Sequence, residues 1–597
     1  MKISKNTAIF GLIFLTLAVL EFVLFKRYCR HFLVPYYPVN YDQMATFYWD
    51  YSAHFSLSQL GHWPADNRAL TPFKGALVPM LGLLFTFIFG AHRLSILLVN
   101  FFFLLLAQFF LFFWAVKRNF SMSFLSVGFF LLTGTHFFYF GGLNDMRLDY
   151  GGMVMMGLAF LAALNWLQFG GRKCLVWVGT ALALLDLTRF VTMFYWIGGL
   201  PVAMAVACGL VARTKKRGSF AAKLPKRLAT VWLLAIGVAT LHLLISWVSF
   251  SNYYVALKIT GEDKMRWTEF GVHNIFEQIL YFPNSFLIHF HETITFFLIL
   301  LIPPAVTLFY KRLAAGNSGK SNVDIVEISL EKTSWLLFLS LLATTYIALT
   351  LYSPSPIVIG VYAIPLCVSM ALTLSRLLAT VFGKKIALSV SVLFMMFGAG
   401  TFMQRLYAPT EPPHCNSTSS QRISAINTLV VEQVAASKKI QTILWSATHE
   451  GLMPLQFTVS WSELKHCLQP PVIQIHVPPY PALDESDFVA ALNEADIAVI
   501  PITLPSPPPG WFEYPNITAL RTHLPVLKTC LDREFKLVQR FDQIYAGNPN
   551  LWSIGVYKRI KNEKDKAGLK TQIVRDSIPA NNRRLYLLRN MTVIRDN

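Results

Sequence analysis

Apolar runs of roughly 18 residues or more recur from the N-terminus to about Arg405 and then stop. Each is long enough to cross a hydrocarbon core of about 30 Å. A chain in that solvent must satisfy its backbone polar groups internally, which restricts those runs to α-helices packed together. Composition agrees: 54% of the 597 residues are hydrophobic and 14% are charged, where soluble domains carry roughly 25% charged residues. Much of the formal net charge of +20 sits on Lys and Arg in short loops between the runs. Charge placed that way sets membrane topology and does not argue for nucleic acid. The first run, Thr7 to Phe25, follows Lys2 and Lys5 and lacks a small-residue cleavage site before Lys26 and Arg27, so it reads as an uncleaved helix.

Basic loops mark the cytoplasmic side. Here they are Lys117-Arg118, Arg172-Lys173, the cluster Arg213 to Arg227, Lys311-Arg312 with Lys320 and Lys332, and Lys384-Lys385. Alternation about these loops predicts about 11 crossings, near 7–26, 95–116, 122–140, 150–169, 174–190, 191–212, 229–250, 287–310, 334–352, 356–377 and 386–403. The stretch Phe73 to Gly90 breaks the alternation if it spans. It is therefore expected to be an interfacial or re-entrant helix on the outer face, with an ordinary twelfth span as the alternative. On this topology residues 27–94, 141–149, 251–286, 353–355 and everything after about 404 share the outer side and can build one site.

The outer segments hold the chemistry-bearing residues. The first carries Tyr41-Asp42-Gln43, the aromatic run Phe47 to Tyr51 around Asp50, then His54, His62, Asp66, Arg68 and Lys74. Aromatics also gather at membrane interfaces without any catalytic role. The second, Gly141 to Tyr150, places Asp145, Arg147 and Asp149 at the mouth of a span, where ionised groups are costly unless paired or working. The alternative is an ion pair that only pins the loop. Asp186 and Arg189 lie between two apolar runs. An Arg there suits a polar cavity and an anionic headgroup, or it pairs with Asp186 and ties the helices. His289, His291 and Glu292 head a later span, a weak metal signal that leaves a divalent metal open.

In order, an outer loop with an early Asp, then Thr71-Pro72-Phe73-Lys74-Gly75-Ala76-Leu77, then Phe89-Gly90-Ala91-His92-Arg93-Leu94-Ser95, resembles GT-C glycosyltransferases. The resemblance is narrower to the branch of protein O-mannosyltransferases and the aminoarabinose transferase of lipid A. It implies a catalytic Asp at Asp42, a lysine near a lipid phosphate at Lys74, a second-loop aspartate at Asp149 beside Arg147, and a further phosphate ligand at Arg189. Lys74 is followed by Gly75-Ala76 where the family has two prolines. A late family element survives only as Tyr362 with Pro365.

The resemblance implies a transferase that takes a sugar from a polyprenyl-phosphate carrier to a lipid, glycan or protein acceptor. The carrier phosphate is already an ionised leaving group, so cations rather than a general acid assist its departure. Asp42 would orient or deprotonate an acceptor hydroxyl attacking from the opposite face, with inversion. No nucleotide-binding glycine motif stands in a strand-turn-helix context.

The expected division is a transmembrane domain over 1–405, with outer loop 27–94, and an extracytoplasmic α/β domain over 406–597. Strands are predicted at 440–446, 472–476, 497–502 and 552–558, with helices at 419–437 and 487–494. Outside the cytoplasm, two of Cys415, Cys467 and Cys530 can pair. Compact loops and the lack of a retrieval signal favour a bacterial inner membrane. A transporter or flippase, or a non-catalytic glycolipid binder, is the competing class.

Overall fold

The computed structural model describes residues 5–34, 41–62, 75–133, 143, 149–188, 190–215, 229, 231–244, 272–314, 330–352, 356–407, 417–437, 439–446, 454–466, 472–477, 483–507, 513, 515–544 and 551–560. The chain forms two compact units. One comprises Met1–Arg30 with Pro64–Thr410, the other His31–Trp63 with Glu411–Asn597.

In chain order the helices through the apolar region are α1 (Lys5–Tyr28), α2 (Tyr41–Phe55), α3 (Leu77–Phe89), α4 (Arg93–Val116), α5 (Phe120–Leu132), α6 (Asp149–Phe169), α7 (Arg172–Thr188) and α8 (Phe190–Lys215). Beyond them lie α9 (Val231–Leu244), then α10 (Ile275–Ala314), α11 (Leu330–Tyr352), a 3-10 turn at Pro356–Tyr362, α12 (Ala363–Phe382) and α13 (Lys384–Tyr407). Among the described residues five helical segments are long and apolar enough to cross a membrane, namely Arg93–Val116, Asp149–Phe169, Ile275–Tyr310, Ile359–Phe382 and Lys384–Tyr407. The chain is an integral membrane protein, mostly helical, with a small C-terminal sheet. The 13 residues of α3 reach only about 20 Å at the helical rise, short of a bilayer core.

Helix α10 runs over 40 residues and begins at Ile275, so the predicted outer segment 251–286 gives way to helix in its last part. The start signal is local. Asn274 Oδ1 accepts from Glu277 N at 3.0 Å, and Glu277 Oε2 accepts from His273 N at 2.6 Å, a reciprocal exchange of the capping-box kind.

Helices without a hydrophobic drive between them associate by close packing of small residues and by buried hydrogen bonds. Both occur here. Helices α5 and α13 cross at Gly128 and Gly398, where a Cβ on Gly398 would stand 2.6 Å from the Gly128 carbonyl oxygen. Gln108 of α4 donates to both carboxylate oxygens of Glu21 of α1, at 3.1 and 2.9 Å, and both side chains are fully buried. Arg405 of α13 pairs with Glu292 of α10.

The second unit contains α2 with α14 (Ser417–Ala435), β1 (Gln441–Trp445), α15 (Pro454–Lys465), β2 (Val472–His476), α16 (Glu485–Glu494), β3 (Ile497–Thr503), α17 (Pro515–Glu534), β4 (Phe535–Ile544) and β5 (Trp552–Arg559). The sheet order is β2-β1-β3-β5-β4. The first three strands are parallel, with Ile443 opposite Ile497 and Trp445 opposite His476, and β5 and β4 run antiparallel to complete it. Parallel neighbours need crossovers, and α15 and α16 supply them between β1, β2 and β3. Cys530 carries no disulfide to a described residue; Cys415 and Cys467 lie outside the described residues.

Helix α2, in the first predicted outer loop, has a reason to be a helix that its polar residues conceal. Met44, Phe47, Tyr51 and Phe55 recur at helical spacing and are all buried, each at most 6% exposed. The stripe faces α15: Tyr51 donates its hydroxyl to Glu463 Oε1 at 2.9 Å, and Gln59 just beyond the helix donates to the His466 carbonyl at 2.7 Å. Phe47 and Tyr51 of the aromatic run are thus interior to this unit.

Candidate functional site

The best-defined junction near the predicted site lies where α6 begins and α7 ends. Asp149 is the first residue of α6 and is buried, 6% exposed. Two residues on, Gly151 packs against Thr188, the last residue of α7. A Cβ there would lie 2.7 Å from Thr188 Cγ2 and 2.9 Å from Phe103 of α4. The Thr188 hydroxyl is turned back along its own helix, donating to the Leu184 carbonyl at 2.6 Å.

The main-chain carbonyl of Thr188 faces a third segment. Gly75, buried and just ahead of α3, has φ +144°, and a Cβ on it would collide with the carbonyl oxygens of Leu187 and Thr188, standing 2.8 Å from the former and 2.6 Å from the Thr188 carbonyl carbon. Glycine is required twice over, by conformation and by contact. Gly75 is therefore the residue that lets this segment lie on α7. Gly75, next to Lys74 in sequence, and Gly151, two residues after Asp149, thus both pack on Thr188, next to Arg189. Lys74, Asp145, Arg147 and Arg189 themselves lie outside the described residues.

Asp42 is the second residue of α2, in the other unit; its side chain lies outside what is described. Two turns along, Asp50 is 1% exposed with neither carboxylate oxygen hydrogen-bonded to a described residue. Burial pushes its carboxyl well above the usual carboxylate range. His54 is half-buried at the end of the same helix, and burial lowers its imidazole below the ordinary value.

The later candidates have partners of their own. Tyr362 is 3% exposed, shares a hydrogen bond with Thr345 of α11, and its ring meets Phe286 and Phe338. It packs as a core residue between α10 and α11. His289 is buried with Nδ1 2.7 Å from the Ser285 carbonyl, while His291 is exposed with Nδ1 2.8 Å from the Ile288 carbonyl. Two residues apart on a helix, they point to different faces. Glu292 is engaged by Arg405. Among the described residues no three His, Cys, Asp or Glu side chains cluster as a metal site would require.

One pair escaped sequence reasoning. Asp186 of α7, fully buried, faces Nδ1 of His242 of α9 at 3.7 Å. The sequence offers no signal for it, since the partners are distant in the chain and their meeting depends on how α7 and α9 are rotated.

No family model matches the chain, and no curated relative matches it. Solved structures do. ArnT from Cupriavidus metallidurans bound to undecaprenyl phosphate is 12% identical at TM-score 0.47, over 92% of this chain and 98% of that one. The apo state of the same ArnT is 11% identical at TM-score 0.45, over 93% and 98%. The Archaeoglobus fulgidus oligosaccharyltransferase in its apo form is 12% identical at TM-score 0.38, over 82% and 69%. At such distances none of them assigns a role to a residue of this chain.

Proposed function

We propose that this chain is a glycosyltransferase that moves a hexosyl or pentosyl group from a polyprenyl-phosphate carrier to a lipid, glycan or protein acceptor at the outer face of the membrane. In this reading about 11 helices cross, and the membrane is a bacterial inner membrane with the sheet-bearing unit in the periplasm. Lys74, Arg189 and Arg147 hold the carrier phosphate. The acceptor oxygen attacks the anomeric carbon, its proton passes to Asp42, and the carbon–oxygen bond to phosphate breaks with inversion. Negative charge growing on the departing phosphate is met by the cations, the largest contribution such a site can make. Asp149 assists as a second carboxylate.

The observation that supports the reading is the meeting of Gly75 and Gly151 on Thr188. It brings together chain segments that adjoin a lysine, an aspartate and an arginine which the sequence had singled out for phosphate and sugar chemistry. The test is direct binding of polyprenyl phosphate to the reconstituted full chain. Lys74→Ala and Arg189→Ala should each weaken it by roughly 10-fold or more, the loss expected of a charge-assisted hydrogen bond. Unchanged binding in both variants overturns the assignment.

Buried carboxylates inside apolar helices, Glu21 with Gln108 and Asp186 with His242, favour a second reading as a transporter, because such groups mark ion or substrate paths. Movement of the labelled carrier sugar across sealed vesicles without transfer to any acceptor would decide for it.

A further inference from the structure

At the end of the helical unit that bears the basic loops, a cavity of about 610 Å³ opens between the α4–α5 turn, the end of α6, the start of α11, the end of α12 and the start of α13. Its charged lining is Arg118, Arg376, Lys384 and Glu331. Glu331 is consumed by an ion pair with Arg376, which leaves Arg118 and Lys384 without a carboxylate among the lining residues. Cations left so in a concave site repel each other and attract an anion.

Arg118 is held as a fixed donor. Its guanidinium lies 4.0 Å over the Trp114 ring, Nη1 donates to the Trp114 carbonyl at 2.8 Å, and Nη2 donates to Asn165 Oδ1. All of those partners are neutral. Burial brings its pKa down to about 10, so it stays charged at neutral pH. Its Nε and the Gln168 Oε1 are buried with no hydrogen-bond partner among the described residues. Two helix N-termini add their partial positive charge: Asn119 caps α5, of 13 residues, and Lys384 opens α13, of 24 residues. The lining also includes the apolar side chains of Met122, Leu330 and Leu372. Phe169, next to the lining Gln168, is 69% exposed.

We propose that this cavity binds a phosphate group, and that the group is the headgroup phosphate of an anionic phospholipid whose glycerol and proximal acyl carbons lie on those apolar side chains. A cationic rim beside apolar surface suits such an amphipathic ligand better than a free ion. The site owes nothing to the transferase reading and none of its residues has a role there.

The experiment uses the full-length protein in neutral detergent, with native mass spectrometry reading retained phosphatidylglycerol or phosphatidylcholine, with and without inorganic phosphate. Phosphatidylglycerol should be retained over phosphatidylcholine. Lys384→Gln, on an exposed side chain, should cut that retention by about tenfold and Lys384→Arg should restore it. Adding Arg118→Gln should abolish the preference. Equal retention of the two lipids by the wild type, or wild-type retention in Lys384→Gln, overturns the proposal. Saturation by inorganic phosphate with no preference between the lipids overturns the lipid source.

Discussion

Gly75 lies against Thr188 with no room for a methyl group between them, a Cβ there standing 2.6 Å from the Thr188 carbonyl carbon. This contact seats the segment ahead of α3 on the end of α7. Gly75→Ala forces that segment away and imposes φ +144° on an L-residue. Displacements near 1 Å at a reacting centre cost on the order of 10²-fold. The expected outcome is a transfer rate down by about that factor in protein that remains folded, with Gly209→Ala, where a Cβ meets nothing within 4 Å, unaffected. A wild-type rate in Gly75→Ala would show that the contact does not position the site.

Asp50 gives a pH dependence of stability. Burial raises its folded pKa above the unfolded value, so the folded state binds the proton more tightly. Its stabilising share is complete below the unfolded pKa of about 3.9 and is lost as pH rises towards the folded value. Asp50→Asn removes that titration. Thermal unfolding between pH 4 and pH 8 should therefore fall less steeply for the variant, and it should be the more stable protein at the upper end. Parallel curves for the two proteins would contradict the burial argument.

Arg405 and Glu292 join α13 to α10. Both side chains are partly exposed, at 21% and 36%, and pairs of that kind contribute about 0.2–1 kcal/mol. Glu292→Arg and Arg405→Glu should each lower thermal stability slightly, and the double swap should recover most of the loss. A double variant as weak as the sum of the singles would deny the pairing.

Much of the architecture is legible in the residues alone, and the misses have physical causes. Helices α4, α6, α12 and α13 announce themselves as long apolar runs, and β1, β2, β3 and β5 as short ones bounded by turns. The edge strand β4 was not legible, because Lys536, Arg540 and Asp542 make it read as a polar segment, which is how an edge strand protects itself. Helix α17 hid behind an internal Pro525. In α2 the stripe Met44, Phe47, Tyr51 and Phe55 was visible in principle, but Asp50 between its members drew the reading towards an outer loop. At the site, sequence motifs named Lys74, Asp149 and Arg189 one at a time. The contact of Gly75 and Gly151 with Thr188, and the facing of Asp186 and His242, depend on helix rotation and could not be had from one sequence.

Topology carries a prediction of its own. Reporter fusions after residue 118 should report the cytoplasm and fusions after residue 450 the outer side, as the basic loops dictate. A cytoplasmic signal at 450 would place the second unit on the wrong side for a lipid-linked sugar delivered outside.

The most direct measurement is sugar transfer from a labelled polyprenyl-phosphate sugar by the full chain reconstituted in membrane, comparing wild type with Asp42→Asn. The account predicts transfer by the wild type and its loss in the variant, with folding and polyprenyl phosphate binding retained. Full transfer by Asp42→Asn would contradict it.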